Sequence, residues 1–117
     1  MPWTVLIVDD HQGFRDGARA LLEAEGFEVL GEAADGESAI EQTRRLRPDV
    51  VLLDVQLPGR DGFAVADEVT GWPSAPAVVL VSSRGRDAYG AKLAATRARG
   101  FLTKEGFSGT CLASLLR

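Results

Sequence analysis

The chain has 117 residues, a net charge of −4 and 45% hydrophobic residues, the size and make-up of one globular domain with a core. The acidic balance argues against a basic face for nucleic acid, and one cysteine with one histidine excludes an internal disulfide, a thiolate metal cage and a His-rich metal site. The longest apolar runs, Val5 to Val8, Val50 to Leu53 and Ala77 to Val81, fall far short of the ~20 residues that span a bilayer, and Met-Pro-Trp-Thr lacks the regions of a signal peptide, so a cytoplasmic, membrane-free protein is expected.

Thr4 to Val8 reads as a buried strand, short and rich in branched residues, ended by two aspartates. Gln12 to Glu25 follows with Phe14, Ala18, Leu21 and Leu22 on one helical face, and Gly26 stops it. Glu28 to Ala33 is a weaker strand. Asp35 is placed to cap a helix running to about Leu46, and Pro48 forbids continuation. Asp49 to Asp54 repeats the first pattern, an apolar strand ending in a carboxylate. Pro58-Gly59 is turn chemistry. Helix is expected from about Asp61 to Val69, a loop from Gly71 to Pro76, and a fourth strand from Ala77 to Val81 that ends at Ser82-Ser83. An Ala-rich helix is expected from about Arg86 to Arg97, a short fifth strand over Phe101-Leu102-Thr103, and a last helix capped by Ser108 and reaching about Leu116.

Strands alternating with helices imply βαβ units and a parallel sheet. Strands one, three and four are almost wholly apolar, as expected when both sheet faces are covered. Right-handed crossovers make this a doubly wound α/β sandwich, and such sheets bind ligands beyond the carboxyl ends of their strands. Those ends carry Asp9-Asp10, Asp54, Ser82 and Lys104. Three carboxylates brought together need a compensating cation. Lys104 supplies one charge, and a hard divalent ion such as Mg²⁺ suits a site of few carboxylates that keeps waters and a phosphate oxygen. A carboxylate can act as nucleophile and form an aspartyl phosphate. The metal, Lys104 and the Ser82 hydroxyl are the groups able to neutralise the transferring phosphoryl.

Four segments, Val-Leu-Ile-Val-Asp-Asp-His, Val-Val-Leu-Leu-Asp-Val-Gln-Leu-Pro-Gly-Arg-Asp-Gly, Val-Leu-Val-Ser-Ser and Gly-Phe-Leu-Thr-Lys, occur in an order and spacing that resemble the response-regulator receiver family along essentially the whole chain. The resemblance implies a flavodoxin-like fold, a five-stranded parallel sheet of order 2-1-3-4-5 with five helices, and one receiver domain over residues 1–117. It implies that Asp54 accepts phosphate from a phosphohistidine on a sensor histidine kinase. Asp10 would bind Mg²⁺ directly, Asp9 mainly through water, and the backbone carbonyl of Gln56 would be a further ligand. Lys104 would pair with Asp54 and then with the phosphate, and Ser82 would swing to hydrogen-bond it. Phe101 would report that swing to the face of the fourth helix, fifth strand and fifth helix, by packing alone because it lacks a hydroxyl. The side chains of Gln56 and Arg84 would flank the phosphoryl group and tune its hydrolysis.

Asp-Asp-His, Ser-Ser after strand four, and Gly-Phe-Leu-Thr-Lys-Glu are similar to receivers that precede a LuxR-type helix-turn-helix output domain. The implied role is phosphorylation-dependent homodimerisation or control of an output domain, with transcription as the controlled process and no direct contact of this domain with nucleic acid. No output domain lies in these residues. The chain stands alone or was truncated, and a last helix reaching Arg117 without a tail favours truncation. Family members of this branch often carry Ala-Gly-Ala where Thr96-Arg97-Ala98 stands; Arg97 adopts the left-handed cap conformation less readily than glycine, so the fourth helix ends differently or Arg97 serves the output face.

Each residue also has a plainer reading. Asp9 and Asp10 could be a helix cap and a solvated acid, Asp54 a turn residue, Lys104 a surface lysine and Phe101 core. Ser83 could replace Ser82. His11 reads as a partly exposed residue at a helix start, Thr103 as strand filler, and Cys111 as core. Three other functions compete. A phosphatase of the haloacid-dehalogenase type needs a second aspartate two residues on, where Gln56 stands. A pseudo-receiver would not need every site position filled. A flavin-binding module wants hydroxyls and glycines after strand one, where Asp9-Asp10-His11 would repel phosphate.

Overall fold

The computed structural model describes residues 3–116. The strands are β1 (Thr4–Val8), β2 (Glu28–Ala33), β3 (Val50–Asp54), β4 (Ala77–Ser82) and β5 (Gly100–Thr103). The helices are α1 (Gln12–Ala24), α2 (Gly36–Leu46), α3 (Gly62–Thr70), α4 (Ala91–Ala95) and α5 (Gly109–Leu116), with a single 3-10 turn at Arg86–Ala88. The sheet is wholly parallel in the order β2-β1-β3-β4-β5, the doubly wound arrangement expected.

Strand residues divide between two cores. Leu6, Val8, Val51, Leu53, Val78 and Leu80 point to one face, where Ala39 and Ile40 of α2 and Phe63, Val65, Ala66 and Val69 of α3 cover them. Val5, Ile7, Val50, Leu52, Val79 and Val81 point to the other, against Ala18 and Leu22 of α1 and Leu112 and Leu116 of α5. Alternate side chains leave a strand on opposite faces, so a strand covered on both sides must be apolar at every position. That is why β1, β3 and β4 read as unbroken runs.

The helix ends follow their capping residues. At the end of α1 the amide of Phe27 bonds to the Leu22 carbonyl and that of Gly26 to the Glu23 carbonyl, with Gly26 at φ 93°. This is the six-to-one and five-to-two pairing that glycine permits. Asp35 accepts from the Ser38 amide at 2.8 Å, Asp61 from that of Ala64 at 2.9 Å, and Ser108 from that of Cys111 at 3.1 Å. Asp49, read as the first residue of the third strand, lies just before β3 and binds the amide and hydroxyl of Thr4 at 2.9 and 3.0 Å.

Two expectations fail. The Ala-rich helix from Arg86 to Arg97 is broken: the 3-10 turn stops at Ala88, Gly90 turns at φ 39°, ψ −108°, and α4 holds five residues. Glycine is the residue that takes such a backbone. At its far end α4 stops at Ala95, and the chain leaves extended through Thr96 at ψ 148°. The helix therefore does end differently, and Arg97 is spared the left-handed conformation. Cys111 is exposed rather than core. On α5 the inward stripe is Leu112 and Leu116, four residues apart, and Cys111 falls outside it.

Candidate functional site

The parallel sheet brings the carboxyl ends of β1, β3, β4 and β5 to one edge of the molecule. Asp9 follows β1 and Asp54 ends β3; both are buried, whereas Asp10 is exposed. Lys104 follows β5, and its amide donates to the Ser82 carbonyl at the end of β4. Its side chain crosses back so that Nζ lies 2.7 Å from Oδ2 of Asp9 and 3.4 Å from Oδ2 of Asp54. One ammonium therefore serves two buried carboxylates. It also lies 4.8 Å from the centre of the Phe14 ring, a face that attracts a cation.

The charges leave their mark on titration. Burial raises the Asp54 carboxyl to about 6, and repulsion from Asp9 adds to this. The Gln56 amide, donating to Oδ1 of Asp54 at 3.2 Å, and the Lys104 ammonium oppose the rise. Burial works against the charge on Lys104, but Asp9 and Asp54 more than offset it, and its ammonium titrates above the ordinary value.

Oδ1 of Asp9 accepts from the His11 amide at 2.8 Å. Oδ2 of Asp9 is fully buried and has no hydrogen bond of good angle; among the described residues its neighbour is the Lys104 ammonium. Ligand atoms of Asp9, Asp10, His11 and Asp54 all lie within 4.8 Å of one another. An oxygen-rich set in which one ammonium faces two buried carboxylates and a third stands beside them fits a hard divalent cation. The acidic cluster can hold a metal.

The remaining expected residues surround this cluster. Ser82 is buried, and its Oγ accepts from the Arg84 amide at 3.0 Å; Ser83 is exposed. Phe101 is buried in the α2–α3 core, with the Arg86 guanidinium 5.6 Å above its ring. The Arg84 side chain is exposed, and Gln56 lines an open cleft of about 550 Å³ with Asp10, Leu57, Phe63, Tyr89 and Lys92. The start of α3 presses on the site. A Cβ on Gly62 would stand 2.3 Å from the Asp54 carbonyl oxygen, so only glycine lets the helix come so near.

Four contacts were not expected from the sequence. His11 is exposed, as read, yet its Nδ1 lies 3.2 Å from both Asp9 and Asp10. Arg15 donates to the Asp9 carbonyl at 2.7 Å and to Glu32 at 3.0 Å, fixing the acidic loop to β2. Phe14, read as helix core, faces Lys104. The Tyr89 hydroxyl meets Ser82 Oγ at 2.5 Å. Gln12 and Gly13 separate Phe14 and Arg15 from the acidic loop, and neither they nor Tyr89 carried a sequence signal for this site.

Residues 5–115 match the response regulator receiver domain, and the chain belongs to that family, the receivers of two-component systems. The transcriptional regulatory protein PdtaR of Mycobacterium tuberculosis is 40% identical over 87 residues, which cover 74% of this chain and 42% of that protein. The signal receiver domain of NarL from Mycobacterium tuberculosis superposes with a TM-score of 0.84 at 36% identity, covering 98% of this chain and 94% of that one. A LuxR-family response regulator from Aurantimonas does so at 0.85 and 30%, covering 97% and 81%. The chain spans less than half the length of PdtaR. No helix among the described residues is long and apolar enough to cross a membrane.

Proposed function

We propose that Asp54 accepts a phosphoryl group from a phosphohistidine of a sensor histidine kinase in a Mg²⁺-dependent reaction. The observation that carries this is the single ammonium of Lys104 shared by Asp9 and Asp54. It leaves the cluster short of positive charge while holding the Asp54 carboxylate ready. An ionised oxygen of Asp54 attacks phosphorus as the nitrogen–phosphorus bond of the donor breaks, and the freed imidazole takes up a proton. Lys104 stabilises one equatorial phosphoryl oxygen and Ser82 donates to another. Asp9, Asp10, Asp54 and the Gln56 backbone carbonyl would hold Mg²⁺, which when bound neutralises the phosphoryl oxygens. Gln56 and Arg84, at the rim, set access of water to the acyl phosphate. The domain acts as an acceptor that assists its own phosphorylation and hydrolysis, not as an enzyme with an outside substrate.

Residues 1–117 then form one receiver whose phosphorylation alters the face of α4, β5 and α5, with Phe101 beneath it. This face would drive homodimerisation or engage an output domain. Similarity to transcriptional and LuxR-family regulators makes control of transcription the favoured output, in the cytoplasm where a kinase has ATP. Incubation with Mg²⁺ and a small phosphoryl donor should add one phosphate by intact mass. No adduct in the parent, or an undiminished one in Asp54→Asn, would overturn this reading.

A further inference from the structure

Ser82 is expected to donate to the phosphoryl group, yet its hydroxyl is already engaged. Oγ accepts from the Arg84 amide at 3.0 Å and lies 2.5 Å from the Tyr89 hydroxyl. Tyr89 is the sole tyrosine of the chain. Its ring stands edge-on between Phe63, at 5.6 Å, and Phe101, at 5.9 Å. It sits where the backbone breaks, between the 3-10 turn and the positive φ of Gly90, and it lines the open cleft beside Asp10 and Gln56.

We propose that Tyr89 is a positioning residue that latches Ser82 through its hydroxyl and is released when Ser82 turns to the phosphoryl group. The proposal rests on Asp54 being the phosphoacceptor. A serine hydroxyl has one proton and two lone pairs. One lone pair takes the Arg84 amide, and the remaining short contact ties the oxygen to Tyr89. Moving Oγ towards phosphate stretches that contact. A half-buried phenol hydroxyl that loses its partner turns to water, and the open cleft that Tyr89 lines offers it. The ring then turns outward and gives up its edge contacts with Phe63 and Phe101. The hydroxyl that Phe101 lacks is thus supplied from the neighbouring loop, and the motion passes into the segment between the 3-10 turn and α4.

The test uses 3-fluorotyrosine, which gives one protein fluorine signal because Tyr89 is the only tyrosine. Mg²⁺ and beryllofluoride, a phosphoryl mimic with a fluorine signal of its own, report site occupancy in the same spectrum. Bound mimic should appear together with a shift of the Tyr89 signal towards its position in mimic-free Ser82→Ala. Bound mimic with an unmoved Tyr89 signal overturns the latch and leaves the phosphoacceptor reading intact; no bound mimic overturns both. Tyr89→Phe keeps the ring and deletes the latch. It should tighten apparent beryllofluoride affinity about two- to tenfold, the worth of one net hydrogen bond, and the gain should vanish in the Ser82→Ala background. An unchanged affinity, or a gain that persists without the Ser82 hydroxyl, overturns the proposal. The fluorine measurement on the parent stands even if a variant fails to fold.

Discussion

The ammonium of Lys104 lies 3.4 Å from a carboxylate oxygen of Asp54, a residue 50 positions earlier in the chain. Sheet order alone makes this meeting possible, since β4 intervenes and the Lys104 amide is fixed to the Ser82 carbonyl. Replacing Lys104 by Met leaves Asp9 and Asp54 buried with no counter-charge between them. Removing one member of a buried pair costs roughly 3–5 kcal/mol, and the partial exposure of Lys104 favours the lower end. Urea unfolding without Mg²⁺ should show this loss, and adding Mg²⁺ should restore part of it.

The raised Asp54 carboxyl gives a pH signature. Its folded value of about 6 lies above the ordinary 3.8, so between these values the folded state holds a proton that the unfolded state has lost. Its contribution to stability is therefore fully present below about 3.8 and is lost as pH rises through about 6. The size is of order 2–3 kcal/mol. In metal-free solution Asp54→Asn should be more stable than the parent at pH 7–8, with the gap closing towards pH 4. Thermal unfolding across that range measures it.

Gly62 tests how tightly α3 is seated on β3, the strand that ends in Asp54. A methyl group there overlaps the Asp54 carbonyl and the Val55 backbone, which β3 and the bond from the Val55 amide to the Val81 carbonyl hold in place. Gly62→Ala should cost about 1–3 kcal/mol by overpacking and slow phosphorylation by small donors. If stability and phosphorylation rate both match the parent, the close approach does not constrain the site.

Gly90 tests the break before α4. Alanine at φ 39°, ψ −108° is strained, whereas Asp87, Ala88 and the alanines beyond accept a continuous helix. Gly90→Ala should raise the helical signal in far-ultraviolet circular dichroism. It should also move the fluorotyrosine signal of Tyr89 in the direction given by Ser82→Ala.

The sheet and the acidic cluster were legible because their causes are local. Burial on both faces writes β1, β3 and β4 as apolar runs, and Asp35, Gly26 and Ser108 mark helix ends through chemistry within a few residues. The Ala-rich segment misled for the opposite reason. Its composition suits a helix, but Tyr89 turns inward to Ser82, Phe63 and Phe101, and that tertiary contact leaves no mark in spacing. Cys111 misled because apolar neighbours in sequence are not neighbours on one helix face. The convergence of Asp9, Asp54 and Lys104 followed from strand ends; Phe14 and Arg15 reach the same place from the side of α1, which only packing reveals.

The parallel sheet also has an opposite end. Gly71 to Pro76 enters β4 at its amino end, and six strand residues at about 3.3 Å each set that loop roughly 20 Å from Ser82. There Trp72 lies under the Arg44 guanidinium at 4.7 Å, and Thr4 and Asp49 tie β1 to β3. A dye, tag or short insertion placed in this loop would be insulated from the chemistry by a whole strand. The architecture thereby provides an attachment point for sensors built on the domain.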